Sequence, residues 1–226
     1  MLKRHRPKHK KRRRNERLEE LVIGPWDECC DGPEESVANW IISNRRRLPD
    51  LISLFYGDIY YENAMISGIE GGDVTPFLNT YPNLLHLKIL GVCEIQPVLH
   101  VNLMSFTFVN GGMNSKQLKS VLSLDLPNLY HLELWLGTKD YGADFQLSQF
   151  DALLAKEENG MFPSLQYLGL RNCDQIDEML PAIVTSNIVR NRIRILDISN
   201  GTLSKAGFGY IQQLKELPLL ETVVSY

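Results

Sequence analysis

The sequence predicts an α/β solenoid: a horseshoe arc of about eight repeats, with parallel strands on its concave face and helices on its convex face. Three observations predict it. The phrase Leu126-Pro127-Asn128-Leu129-Tyr130-His131-Leu132-Glu133-Leu134 returns as Phe162-Pro163-Ser164-Leu165-Gln166-Tyr167-Leu168-Gly169-Leu170, and again as Tyr81-Pro82-Asn83-Leu84-Leu85-His86-Leu87-Lys88-Ile89. Near the end of each copy, apolar residues fall at alternate positions, the period of a short strand with one buried face. Between most copies the chain is long enough for a helix, and several of these stretches carry apolar residues at helical spacing.

Looser copies run from Leu48-Pro49-Asp50-Leu51 to Phe55, from Leu103 to Phe108, from Ile193 to Ile198 and from Leu217-Pro218-Leu219-Leu220 to Val224. A further one begins at Leu18 and passes through Leu21 and Ile23. The shared pattern, L-x-x-L-x-L, is that of a leucine-rich repeat, in which strands stack in parallel and their inward side chains make one ladder of core. The central apolar residues of the copies are Leu21, Leu54, Leu87, Phe106, Leu132, Leu168, Leu196 and Val223. Proline before the first leucine ends the preceding helix and starts the extended segment.

The helices are read in order. Glu35 to Arg47 brings Val37, Trp40, Ile41 and Ile42 to one side. The 19 residues from Leu87 to Phe106 are too few for a strand and a full helix, so a loop is expected there. Asn114 is placed to cap a helix whose Leu118, Val121 and Leu122 face inward. Further helices are expected over Leu147 to Lys156, Asp177 to Arg190 with Pro181 in its first turn, and Ser204 to Leu217. Trp40, Phe77, Phe150, Phe208 and Tyr210 fall on helical stretches and are expected in the core. The sequence stops at Tyr226, within or just after the last strand and without a polar capping repeat, so either a truncated chain or an edge that pairs with something else is expected there.

Charge divides the chain in two. Residues 1–14 hold nine Lys and Arg and no acid, and are expected to form a disordered basic tail before a repeat domain over residues 15–226. The remaining 15 basic residues stand against all 27 acidic ones, a net of −12 where the whole chain has −3. No apolar run approaches the roughly 18 residues of a membrane span. The N-terminus lacks the apolar stretch of a secretory signal, so a cytoplasmic protein is expected. Four cysteines, Cys29, Cys30, Cys93 and Cys173, are too few for a disulfide framework. Adjacent Cys29 and Cys30 cannot chelate one zinc, and free thiols buried or half-buried are expected.

Several phrases carry a family resemblance: Val22-Ile23-Gly24-Pro25-Trp26, Phe55-Tyr56-Gly57-Asp58-Ile59, Asp73-Val74-Thr75-Pro76, Leu132 to Gly142, and Leu168-Gly169-Leu170-Arg171-Asn172. The array over residues 18–226 resembles the ribonuclease-inhibitor-like class of leucine-rich repeats. More narrowly, it is similar to a bacterial family of largely uncharacterised cytoplasmic leucine-rich-repeat proteins. The resemblance implies a protein-interaction module and carries over no catalytic residue. Members of that family usually have a further segment before the first repeat and continue past the last, so the resemblance implies a chain shortened at both ends.

Between the inward leucines, side chains should project from the concave face: Ser53, Phe55, Gly57; His86, Lys88, Leu90; Ser105, Thr107, Val109; His131, Glu133, Trp135; Tyr167, Gly169, Arg171; and Ile195, Asp197, Ser199. From these, Phe55, His86, Lys88, His131, Glu133, Trp135, Tyr167, Arg171 and Asp197 are the candidate partner-binding residues. Trp, Tyr and Arg dominate binding hot spots because they bury much area and still offer polar contacts. The plainer alternative is a solvated face with Trp135 covered by the neighbouring loop. Asp140 and Asp144 in that loop follow Glu133, but their spacing matches no calcium loop, so no metal and no cofactor is expected.

Motifs for nucleophilic, zinc-dependent or nucleotide-dependent chemistry are absent from the sequence, and the reading is of a protein that is not an enzyme. The expected function is non-catalytic binding of a protein partner on the concave face, with a small-molecule substrate not expected. The alternative is a nucleic-acid-associated or nuclear-targeted protein acting through weak contacts of residues 1–14, although a body of −12 repels phosphates. An enzyme using His131, Glu133 and Asp140 would need a pocket that repeat sheets seldom form.

Overall fold

The computed structural model describes residues 17–26, 35–59, 65–154 and 162–225; residues 1–14, Cys29 and Cys30 lie outside these. The described elements are β1 (Glu20–Ile23), α1 (Glu35–Ser43), β2 (Ser53–Tyr56), β3 (Glu70–Asp73), α2 (Thr75–Thr80), β4 (His86–Leu90), β5 (Val92–Glu94), β6 (Ser105–Val109) and α3 (Ser115–Leu122). They continue with β7 (His131–Gly137), α4 (Asp151–Leu154), β8 (Tyr167–Cys173), α5 (Ile176–Thr185), α6 (Asn187–Asn191), β9 (Ile195–Asp197), α7 (Lys205–Lys215) and β10 (Thr222–Val224).

Eight of the strands form one sheet in the order β1-β2-β4-β6-β7-β8-β9-β10, every neighbouring pair parallel. Sheet order is chain order. The register sets Leu21, Leu54, Leu87, Phe106, Leu132, Leu168, Leu196 and Val223 in a single row. The six interior members of that row are fully buried, while Leu21 and Val223 at its two ends are half-buried. A second inward row, Tyr56, Ile89, Phe108, Leu134, Leu170 and Ile198, is equally closed. Each such side chain contributes about 1.5–3 kcal/mol of transfer free energy, so the ladder is the fold's main support.

The Pro-Asn-Leu phrase does more than break a helix. Asn102 Nδ2 donates to the Pro82 carbonyl (2.9 Å), Asn128 Nδ2 to that of Val101 (2.7 Å), and Ser164 Oγ to that of Pro127 (2.8 Å). In these three copies one side chain thereby satisfies a carbonyl of the copy before it, where backbone pairing has not yet begun. Beyond the strand ends, Gly137 adopts φ 73° and crosses Gly112 so closely that a Cβ would lie 1.9 Å from the Gly111 carbonyl oxygen. Only glycine fits there.

The helices cover one face of the sheet. No helix separates β4 from β6, as the short spacing predicts; β5 leaves β4 to pair in parallel with β3 in a small second sheet. Asn114 caps α3, accepting from Gln117 N (2.9 Å) while Gln117 Oε1 accepts from Asn114 N (3.1 Å). The stretch read as one helix from Asp177 to Arg190 is two, α5 and α6. Ser186 divides them, because its hydroxyl accepts from Val189 N and donates to the Leu154 carbonyl. Pro181 lies inside α5 rather than in its first turn, since the helix starts at Ile176.

Phe77 and Phe150 are buried and Tyr210 is half-buried, but Trp40 and Phe208 are exposed by 53% and 55%. On α1 the inward positions are Ala38 and Ile41, and Trp40 points away between them. On α7 it is Gly207 that faces α5, where a Cβ would lie 2.0 Å from Asp177 Oδ1, and this close approach rotates Phe208 outward. Cys93 and Cys173 are buried free thiols, and burial pushes both up to about 12. Among the described residues no helix is long and apolar enough to cross a membrane.

Candidate functional site

The face of the sheet opposite the ladder carries the outward residues in three registered rows. One runs Ser53, His86, Ser105, His131, Tyr167, Ile195; the next runs Phe55, Lys88, Thr107, Glu133, Gly169, Asp197; the last includes Leu90, Val109, Trp135 and Arg171. Parallel pairing forces this, because successive side chains alternate faces and every strand is in phase with the next. The sequence-derived positions therefore share one face, but they do not form one cluster.

Six of the nine candidates meet on β7, β8 and β9. Glu133 is the hub. Its Oε1 accepts from Trp135 Nε1 (2.7 Å) and from Arg171 Nη1 (3.2 Å), and its Oε2 lies 3.6 Å from His131 Nε2. Arg171 Nε donates to Ser199 Oγ (3.0 Å) and lies 3.5 Å from Asp197 Oδ2, so one guanidinium is shared by two carboxylates. Asp197 also accepts from the Tyr167 hydroxyl (2.9 Å) and from Ser199 N (2.9 Å). The Tyr167 ring stacks on His131 at 3.9 Å, and the Arg171 guanidinium lies over the Trp135 indole at 4.8 Å.

Gly169 makes this packing possible. It faces Glu133 in the register, and a Cβ there would stand 2.9 Å from Glu133 Cγ and 3.2 Å from Tyr167 Cε1. Burial alone would raise the Glu133 carboxyl; the His131 and Trp135 side chains at its oxygens and the Arg171 charge reverse this and hold it at about 2. Tyr167 moves the other way, raised well above the ordinary phenol value by burial, by its hydrogen bond to Asp197 and by the two nearby carboxylates.

The other three candidates stand apart. Lys88 Nζ sits 4.2 Å over the Phe55 ring on the neighbouring strand, an exposed cation–π pair. His86 is exposed in the same row as His131, two strands away across Ser105. Loop carboxylates serve the scaffold: Asp144 Oδ1 accepts from Ser115 N (2.6 Å) at the start of α3, and Asp140 lies in an exposed turn. Among the described residues no three His, Cys, Asp or Glu side chains converge on a point that could hold a metal ion. Ser199 and Gly169 were placed on this face by the repeat, but their roles depend on neighbours in adjacent strands, which a single strand's pattern does not encode.

A crystal structure of a protein from Bacteroides fragilis is similar to this chain, with a TM-score of 0.81 and 28% sequence identity over 92% of the chain. The chain spans 60% of the length of that protein. No family model matches the chain, and no curated protein does.

Proposed function

We propose that this chain is a cytoplasmic leucine-rich-repeat solenoid of the ribonuclease-inhibitor-like class. Its outward sheet face is the concave surface that binds a protein partner, and it performs no catalysis. The observation that carries this reading is the network on β7–β9, in which Trp135, Arg171, Tyr167 and His131 are each held in place by a partner within the chain. Side chains already fixed before binding lose little rotamer entropy on contact, and aromatic and arginine groups supply area and directed hydrogen bonds together. The chain-order parallel sheet, with its registered apolar row, supports the solenoid reading.

The same network is poorly suited to acid–base chemistry. A carboxyl at about 2 is far too weak a base at neutral pH, and a raised phenol is a poor nucleophile. Both carboxylates are engaged in holding Arg171.

Affinity capture from the native host, quantified by mass spectrometry, tests the reading. Wild type is compared with a Trp135→Ala, Arg171→Ala double variant that circular dichroism shows to be folded at the assay temperature, a lower melting point being expected because both side chains pair with Glu133. A protein retained by wild type and reduced about tenfold or more by the variant is the expected result. Equal recovery by both would remove this face from the function.

A further inference from the structure

At the β1–β2 end of the sheet, α1 is followed by a single tight turn made of Arg45, Arg46 and Arg47, all exposed. Among the described residues, none of the three joins an ion pair. The turn is well anchored: Arg47 N donates to the Asn44 carbonyl (2.7 Å), Leu48 N to that of Arg45 (3.2 Å), and the buried Tyr81 hydroxyl to that of Ile41 (2.5 Å). At its foot is a recess of about 260 Å³ walled by Arg45, Arg46, Pro49, Thr80, Pro82 and Asn83.

A second observation concerns the basic N-terminus. Arg17 Nη1 contacts Asp50 Oδ1 at 3.4 Å, which holds residue 17 against a residue only three positions beyond Arg47. The run of nine Lys and Arg over residues 1–14 ends three positions before Arg17 in the sequence. With Arg17 and the turn, 13 of the 24 basic residues belong to these two short stretches of an otherwise acidic chain. Asp50, the acid beside the turn, is neutralised by Arg17.

We propose that Arg45, Arg46 and Arg47 form a phosphate-binding corner for a nucleic-acid backbone, read by charge and not by base sequence. This goes beyond the partner-binding face and uses none of its residues. Arginine presents a planar fork that pairs two phosphate oxygens at once, and three unpaired forks on a fixed turn match successive phosphates better than mobile lysines would. At physiological salt, charges farther than about 8 Å are screened, so the net −12 of residues 15–226, in which Arg17 and the turn are already counted, does not cancel a local cluster. A bilayer is a poorer fit, because the leucines of the recess, Leu48 and Leu51, are buried and its exposed apolar lining is confined to the short rings of Pro49 and Pro82.

The test uses the full chain and a fluorescein-labelled DNA duplex of about 20 base pairs, with anisotropy measured from about 50 to about 300 mM salt. Changing Arg45, Arg46 and Arg47 together to Ser is expected to weaken binding about tenfold and to lower the slope of log affinity against log salt by about 2 to 3, since each lost phosphate contact removes roughly 0.9. The corresponding triple Lys variant should keep the slope, and a duplex of scrambled sequence should bind equally. If the serine variant melts early, the single Arg46→Ser change decides, with a slope lower by about 0.9. A slope unchanged in the serine variant overturns the proposal and leaves any binding to residues 1–14. Binding to phosphatidylserine vesicles without binding to the duplex also overturns it.

Discussion

The two faces of the same strands obey different rules. Inward, the central row reads Leu21, Leu54, Leu87, Phe106, Leu132, Leu168, Leu196, Val223; outward, one position along, it reads Val22, Phe55, Lys88, Thr107, Glu133, Gly169, Asp197, Val224. The inward row is monotonous because each residue must fill the space between two copies of itself and exclude water from it. The outward row has no such neighbour above it, so it varies freely except where side chains on adjacent strands become coupled. That coupling occurs on β7–β9 and is the feature that sets this region apart from the Phe55–Lys88 pair. Uniformity marks the scaffold, and coupled variety marks the network on β7–β9.

Substitutions separate these rules, beginning with the inward row. Leu132→Ala, in the fully buried middle of the ladder, should cost about 2.5–5 kcal/mol in urea unfolding, and Val223→Ala at the half-buried end less than half as much. Equal costs would mean that the row is not one continuous core. The next effect in size is pH-dependent. Glu133 sits at about 2 in the folded chain against an ordinary 4.5, so its stabilising contribution is complete above 4.5 and is lost as pH falls from there toward 2. Unfolding free energy should drop by about 2–3 kcal/mol over that window beyond the drop seen in Glu133→Gln. Parallel pH profiles for the two proteins would remove Glu133 as the hub.

Gly169→Ala should then cost about 1–3 kcal/mol, by pressing on Glu133, and should cost little in a Glu133→Ala background where the crowded Cγ is gone. Additive costs would show that the strain lies elsewhere. The smallest effect is at the other end of the face, where a double-mutant cycle on Phe55 and Lys88 should give a coupling of about 0.5–1 kcal/mol, the value of an exposed cation–π pair. A coupling as large as that between Glu133 and Arg171 would erase the contrast between the two regions.

How much of this is legible in the sequence follows from the same contrast. The eight members of the ladder are readable, because a buried row repeats one chemical type within the L-x-x-L-x-L pattern, anchored by the close copies at Leu87, Leu132 and Leu168. So is the missing helix between Leu87 and Phe106, which is a matter of length. The break at Ser186 is not, since Ile183, Val184, Ile188 and Val189 are all buried and keep a helical rhythm across it; the cap depends on the Leu154 carbonyl, 32 residues away. Trp40 and Phe208 are misplaced because aromatic character outweighs phase when a helix is read alone. At the site, the sequence places residues on the correct face but cannot give their contacts. Trp135, Glu133 and Arg171 meet only because Gly169 leaves room, and that depends on the register between β7 and β8.

Site-specific photo-cross-linking in the native host tests the central claim most directly. A benzoylphenylalanine at Thr107, half-exposed beside Glu133 in the register, is compared with one at Gln212, exposed on α7. A discrete protein adduct from position 107, absent from 212 and lost when Trp135 and Arg171 are both changed to Ala, is the predicted result. The same adducts from both positions, or an adduct at 107 indifferent to the double change, would contradict the assignment of the outward sheet face as the binding surface.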